Sequence, residues 1–393
     1  MRKIRTPHQH TDGKIFSWMV LILGIGVGLT VPIFPNYVKT ILDTDAAVSI
    51  FYAVMAVISF IGSLLSTILF TRFERTAILK ASFIISSATF FFLIFVTSIF
   101  ELAFLNTLRA WFILFLSITL SLFVRDFAKS KNLGAQEGLF FKYSNIGIFL
   151  GPLIGGFLAA SGSYEVVFIF ASMVLLFGLF YFYTQHIIEK HPAIIEKKQT
   201  KSSLFKNARD FFRDKNRTFA YMIALNLMIW IQFKRLYVPL YVIAAGYLSS
   251  VTGLVLALGI LPYIFLEVKV GEYADKKGIR LPVSTGFLFI AVCLIASFLS
   301  PFPILNFFLL IIANIGGAFI EPIQESYLFK NLPKEDEERL YGIYMTYDSV
   351  SFFLTPAIGA LVLAFLSFNY LFLVFALLAL LAALASHINL KNS

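Results

Sequence analysis

Twelve long apolar runs, separated by short polar joints, decide most of what this chain can become. A helix needs about 20 mostly apolar residues to cross a hydrocarbon core ~30 Å thick. Such runs lie near residues 15–39, 47–70, 77–99, 102–125, 140–161 and 164–186. After a polar gap they resume near 218–244, 249–270, 281–301, 303–327, 342–365 and 367–388. In lipid a segment must satisfy its own backbone hydrogen bonds, so each run is expected to be helical. The fold class read from this pattern is all-α: a membrane protein of twelve transmembrane helices in two six-helix bundles. Only 14% of the 393 residues are charged, against roughly 25% in a soluble domain, which is too few to cover a soluble surface. The first run is too long for the roughly 7–15-residue core of a secretory signal, and no small-residue cleavage site follows it.

The net charge of +10 would point to nucleic acid in a soluble protein. Here the cations fall on one side, and no nucleic-acid partner is expected. With the N-terminus inside, the inner segments carry Arg2, Lys3, Arg5, Arg72, Arg75, Lys80, Arg125, Lys129, Lys131, Lys276, Lys277, Arg280, Lys330, Lys334 and Arg339. The outer joints hold Lys39 beside Asp43, Asp45, Glu101 and Glu165. The positive-inside rule therefore predicts both termini cytoplasmic, in the cell (inner) membrane. The lone cysteine, Cys293, allows no intrachain disulfide.

Residues 189–217 form the one polar linker, dividing a bundle at 1–188 from a second at 218–393. Within it Leu204, Phe205, Ala208, Phe211 and Phe212 share a helical face, with Lys206, Arg209, Arg213 and Lys215 pointing elsewhere. Ser202 or Ser203 is placed as a helix cap. The pattern reads as an amphipathic helix on the anionic inner leaflet, lipid being its partner. A solvated charged linker is the plainer alternative.

The chain also repeats itself at an offset of 204 residues. Pro35 meets Pro239, Tyr37 meets Tyr241, Val38 meets Val242, Gly138 meets Gly342 and Tyr143 meets Tyr347. Leu150 meets Leu354, Pro152 meets Pro356 and Gly155 meets Gly359. Pro, Gly and Tyr identities at one constant shift are not a product of apolar composition. An even number of spans per repeat gives both halves the same topology, with the site expected between them near the midplane.

After span eight the chain reads Gly271-Glu-Tyr-Ala-Asp275-Lys276-Lys277-Gly278-Ile-Arg280. This resembles the signature loop of the major facilitator superfamily, G-x-x-x-D-[RK]-x-G-x-[RK], and the resemblance covers essentially the whole chain. Its first-half counterpart departs from the pattern, with Thr67, Thr71 and Glu74 at the Gly, Asp and Gly positions while Arg72 and Arg75 remain. Gly147-Ile-Phe-Leu-Gly151-Pro152-Leu-Ile-Gly155-Gly156 in span five is similar to the motif of the superfamily's drug:proton antiporters. That similarity implies an exporter; the alternative is ordinary small-residue helix packing. Arg109 stands where many such exporters carry a basic residue, but Phe112-Ile113 replace the usual Gln-Gly.

Charges at membrane depth cost about 2.5–3.5 kcal/mol or more each and are candidates for function. Arg109 lies ~10 Å below the outer surface and Asp348 ~9 Å in from the cytoplasmic end, at ~1.5 Å per residue. Lys234 and Arg235 sit in the outer part of span seven, about 100° apart, so only one can point squarely into a cavity. Arg109, Lys234, Arg235, Tyr37 and Tyr241 are the expected cavity residues. Glu267, Glu321, Glu325 and Asp348 fall at serine positions of the first half: Ser63, Ser117, Ser121 and Ser144. The fold therefore does not demand acids there. Glu267 and Glu325 are read as an ion-pair cluster with Lys269, Lys330 and the Asp275 loop. Glu321 and Asp348 lie deeper with no obvious local cation, and are the expected proton carriers.

No P-loop is present, and Gly24, Gly26 and Gly28 sit mid-span, where packing explains them. His8 and His10 lie in a polar tail, and no metal site, cofactor or catalytic constellation is expected, so the chain is not read as an enzyme. The favoured function is secondary active transport by alternating access: proton-coupled export of a hydrophobic or amphipathic small molecule by a monomer. One alternative is carriage of a small organic anion by Arg109 with Lys234 or Arg235. The other is a sensor or scaffold that transports nothing.

Overall fold

The computed structural model describes residues 14–127, 133–185, 204–333 and 336–390. Arg2, Lys3, Arg5, His8, His10, Lys129, Lys131, Ser202, Ser203, Lys334 and most of the linker lie outside the described residues, as do the side chains of Thr67, Thr71, Arg125, Leu204, Phe205 and Arg339. Among the described residues all regular structure is helical. The first half comprises α1 (Lys14–Gly28), α2 (Phe34–Leu42), α3 (Asp45–Arg72), α4 (Arg75–Phe92), α5 (Ile99–Phe127), α6 (Leu133–Ser161) and α7 (Tyr164–Thr184). The short helix α8 (Leu204–Arg213) precedes the second half. That half comprises α9 (Lys215–Ala244), α10 (Ser249–Leu258), α11 (Leu261–Lys277), α12 (Arg280–Leu299), α13 (Pro303–Ile312), α14 (Asn314–Lys330), α15 (Glu337–Tyr344), α16 (Thr346–Phe365) and α17 (Tyr370–Asn389).

Among the described residues eleven helical stretches are long and apolar enough to cross a membrane; the remaining run expected from sequence is the shorter pair α1 and α2. The chain is an integral membrane protein. The single run expected over 15–39 is two helices, broken at residues 29–33. Pro32 lacks the N–H that would bond the carbonyl of Gly28. That carbonyl accepts instead from Val31 N at 3.1 Å, and Thr30 N bonds Val27 O at 3.2 Å, so the chain tightens before turning. Three spans of the second half are also interrupted: span eight at Gly259–Ile260, span ten at Ala313 and span eleven at Met345. Apolar composition runs unbroken through these joints, which is why hydropathy does not reveal them.

The far side of the molecule bears the joints at residues 43–44, 96–98, 162–163, 245–248, 300–302 and 366–369; the linker side bears the linker and both described ends. Within the first half, glycines bring α1 and α6 into backbone contact. A Cβ on Gly28 would lie 2.9 Å from Gly151 Cα, and one on Gly147 2.9 Å from Gly24 Cα.

The two halves meet through α3 on α16, α6 on α10, and α2 on α9. Asn36 Nδ2 donates to Pro239 O at 2.9 Å, and Ser49 Oγ and Tyr237 OH are 3.0 Å apart, both toward the far side. Gly156 completes the seal, since a Cβ there would lie 2.6 Å from Ser249 O and 2.9 Å from Gly253 Cα. By contrast α11, the linker-side continuation of α10, packs on α14 of its own half.

The amphipathic segment of the linker is helical as α8, but protein rather than lipid covers part of its apolar face. Phe211 is buried, and Phe211 and Phe212 lie edge-on to Tyr221 of α9 at 6.3 and 5.2 Å. Asp214 then caps α9 by accepting from Arg217 N at 2.9 Å.

Candidate functional site

Both halves contribute to a cavity of about 200 Å³ between them. From the first half come Val27, Thr30, Val31, Phe34, Pro35, Tyr52 and Arg109; from the second come Gln232, Arg235, Leu236, Phe352 and Pro356. The break in the first span delivers Thr30, Val31 and Phe34 to this wall. Across from it, Pro239 and Pro356 lack the N–H that would engage the carbonyls of Arg235 and Phe352, so both helices loosen where they line the cavity.

Arg109 is fixed in place before any ligand arrives. Its Nε and Nη2 donate to Asn106 Oδ1 at 3.2 and 2.6 Å. The guanidinium lies 4.1 Å from the Phe34 ring centre and 5.7 Å from that of Phe90, a stacking arrangement worth about 0.5–2 kcal/mol. Arginine carries five N–H donors, so three are left for the cavity. We expect Asn106→Ala to free this rotor and weaken ligand binding about tenfold, ~1.4 kcal/mol, read by titration of the purified protein. Unchanged affinity would remove Asn106 from the site.

Arg235 is exposed to the cavity. Asp348 and Glu321 act on it electrostatically from within the second half. Asp348 occupies the first turn of α16, one turn from the cavity residue Phe352, so the break at Met345 sets its carboxylate at a helix N-terminus, where negative charge is favoured.

Lys234 turns away, about 100° round the same helix. Its Nζ donates to Asn314 Oδ1 and lies 5.3 Å from the ring centres of Trp230 and Tyr263. The expectation that Lys234 faces the cavity is corrected in favour of its neighbour. Tyr37 and Tyr241 are not cavity residues either. Tyr37 OH donates to Leu93 O at 2.5 Å, with Phe168 4.8 Å away edge-on. Tyr241 OH accepts from Asn306 Nδ2 at 2.6 Å among Phe307, Phe368 and Phe372. The repeat pairs them because they perform the same packing in each half.

The expected acid cluster also separates. Lys269 is two residues from Glu267, hence about 200° round α11, and is exposed. Glu325 accepts from Tyr341 OH at 2.5 Å, whereas Glu267 lies within electrostatic reach of Glu321. In the linker-side loop Asp275 pairs with Lys330 at 2.9 Å, both exposed. Gly278 has φ +87°, a conformation that favours glycine, and ends α11. Arg280 meets His387 at 3.0 Å, and Lys276 and Lys277 are exposed in the last turn of α11. Gly271 has only Pro322 Cβ near it, at 3.9 Å from a would-be Cβ. In the first-half copy Arg72 is exposed in the last turn of α3, and Arg75 opens α4.

Tyr52, Gln232, Asn106 and Asn314 were not singled out from sequence. Isolated amides inside apolar runs were the available signal, because a buried amide needs a partner.

The family described as Major Facilitator Superfamily matches residues 16–354 and 236–390. An uncharacterised MFS-type transporter of Methanocaldococcus jannaschii is 22% identical over 352 residues, covering 87% of this chain and 88% of that protein. Among solved structures, the nucleoside transporter NupG superposes with a TM-score of 0.75 at 12% identity, over 96% of this chain and 99% of its own. A D-xylose–proton symporter gives 0.72 at 15% identity, over 95% and 96%. At such identities the structural likeness concerns the fold.

Proposed function

The chain belongs to the Major Facilitator Superfamily, and from that premise we propose that it carries a small organic anion across the membrane by alternating access. As a member of that family it is a secondary transporter and not an enzyme. One observation carries the finer reading: among the described residues, those lining the inter-half cavity include two arginines and no acid. Arginine keeps its charge at any physiological pH, and two guanidiniums lining one cavity call for negative charge from a ligand. Around them Val27, Val31, Phe34, Leu236, Phe352 and Pro356 favour an apolar body. The volume of about 200 Å³ lies below the roughly 300–1,000 Å³ of sites for drug-sized ligands, so the solute is small.

Proton coupling follows from competition for Arg235. Ionised Asp348 and Glu321 attract that guanidinium; once protonated, they release it to the solute. A proton on the carboxyl and an anion on Arg235 then cross together. Reading the linker side as cytoplasmic, from the distribution of Lys and Arg, the far-side seal makes this an inward-facing conformation. The units proposed to move are the bundles at 1–188 and 218–393, joined by the linker.

The span-five segment supports a second reading, proton-driven export of a hydrophobic or amphipathic molecule. Reconstitution in liposomes separates the two. We expect an acid exterior to drive uptake of labelled small carboxylates or organic phosphates. In Asp348→Asn and Glu321→Gln, anion exchange should persist while the pH gradient no longer drives uptake. Gradient-driven movement of lipophilic cations with no anion uptake would sink the anion reading, and intact coupling in both variants would sink the carboxyl assignment.

A further inference from the structure

Lys234 lies where two interrupted spans face each other inside the second half. Span eight breaks after α10 and span ten after α13, so each directs the negative end of a helix dipole here, while Gly259 N, Ile260 N and Ala313 N bond carbonyls of the last turns. Asn314, directly after the second break, reaches back with its Nδ2 to Leu310 O at 2.9 Å and Ile311 O at 3.1 Å. Its donors are thereby directed to the helix end and its Oδ1 is left as an acceptor. Gly259 at the other break makes the space, since a Cβ there would lie 2.7 Å from Asn314 Nδ2. The Lys234 ammonium binds that Oδ1 with the faces of Trp230 and Tyr263 5.3 Å away. Glu321 stands seven residues beyond Asn314, two turns along the same helix face, and acts on Lys234 electrostatically.

The surrounding groups are those that bind a cation. Asn314 is 1% exposed, Trp230 4% and Tyr263 8%, so solvent does not neutralise the charge. The Tyr263 hydroxyl is buried in the same wall, against Gly317 of α14. In transporters, interrupted helices commonly use such carbonyl ends to hold coupling ions.

We infer that this pocket is a monovalent-cation site built into the second half, and that the Lys234 ammonium is its permanent occupant, standing where a free sodium ion would otherwise bind. The carrier then completes its cycle without sodium. The inference stands apart from which solute is carried.

Purified protein in detergent, melted in sodium chloride or in N-methyl-D-glucamine chloride at equal ionic strength, tests it. The unsubstituted protein should melt alike in both. Lys234→Ala should melt lower in N-methyl-D-glucamine, with sodium raising its apparent Tm saturably by about 5 °C or more. The rise should vanish in Lys234→Ala/Glu321→Gln, and Lys269→Ala should show none. A Lys234→Ala protein indifferent to sodium, or one rescued equally by both salts, would overturn the inference. If the alanine variant does not fold, Lys234→Ser replaces it. Failure of both to fold even in sodium would likewise overturn the inference, because the free ion would not have replaced the ammonium.

Discussion

Arg235→Ala lowers uptake of the preferred carboxylate or organic phosphate into proteoliposomes by about 100-fold or more. Truncating one member of a buried charge pair costs roughly 2–5 kcal/mol, which corresponds to about 30- to 4,000-fold in affinity. Arg235 belongs in the lower part of that range, because its guanidinium is exposed to the cavity; among the described residues it shares no ion pair with the protein, which leaves the ligand as its partner. Arg235→Lys preserves the charge and loses the planar fork, so it should recover part of the activity. Arg109→Ala should show a loss of the same sign, along with the loss of its stack on Phe34. Thermal-shift titration with the same anions separates lost binding from lost folding. Uptake within threefold of the parent in both alanine variants would end the anion reading.

Gly156→Leu is the second large effect, and it acts on the conformational equilibrium rather than on the ligand. The side chain would have to enter space held by Ser249 O and by the backbone of Gly253, and backbone cannot rotate aside as a side chain does. Overpacking costs about 1–3 kcal/mol, enough to shift a two-state balance by about 5- to 150-fold. The far-side seal is the part that yields. In a Cys293→Ser background carrying Thr30→Cys, a membrane-impermeant thiol reagent applied from the far side should react at least tenfold faster once Gly156→Leu is added. Gly342→Leu is the control, since among the described residues nothing beyond its own helix backbone and chain neighbours lies within 4 Å of a Cβ placed there. Unchanged labelling in Gly156→Leu would mean that the α6–α10 contact does not close the far side.

The architecture was largely legible because it rests on length, hydropathy and a constant repeat offset, all one-dimensional quantities. Burial direction was not. That Lys234 and Arg235 cannot both face a cavity follows from helix geometry, but which one does depends on Asn314, eighty residues on and beside a break that composition hides. Tyr37 and Tyr241 misled for a related reason: duplication preserves internal packing, whereas the cavity is where the halves differ. Arg109 has Ala313 as its repeat mate and Arg235 has Val31, so neither arginine is marked by symmetry. The loop from Gly271 to Arg280 identified the family without locating the cavity, since its role is to join helices on the linker side.

The glycine contact between α1 and α6 also distinguishes the two halves. Where the first half places Gly24, Gly28, Gly147 and Gly151, the equivalent positions of the second hold Met228, Gln232, Ser351 and Thr355, bulkier groups that keep the corresponding backbones apart. The same half contains three of the four interrupted spans. Close backbone packing is thus concentrated in one repeat and interrupted helices in the other, so the two are joined differently despite their shared sequence pattern.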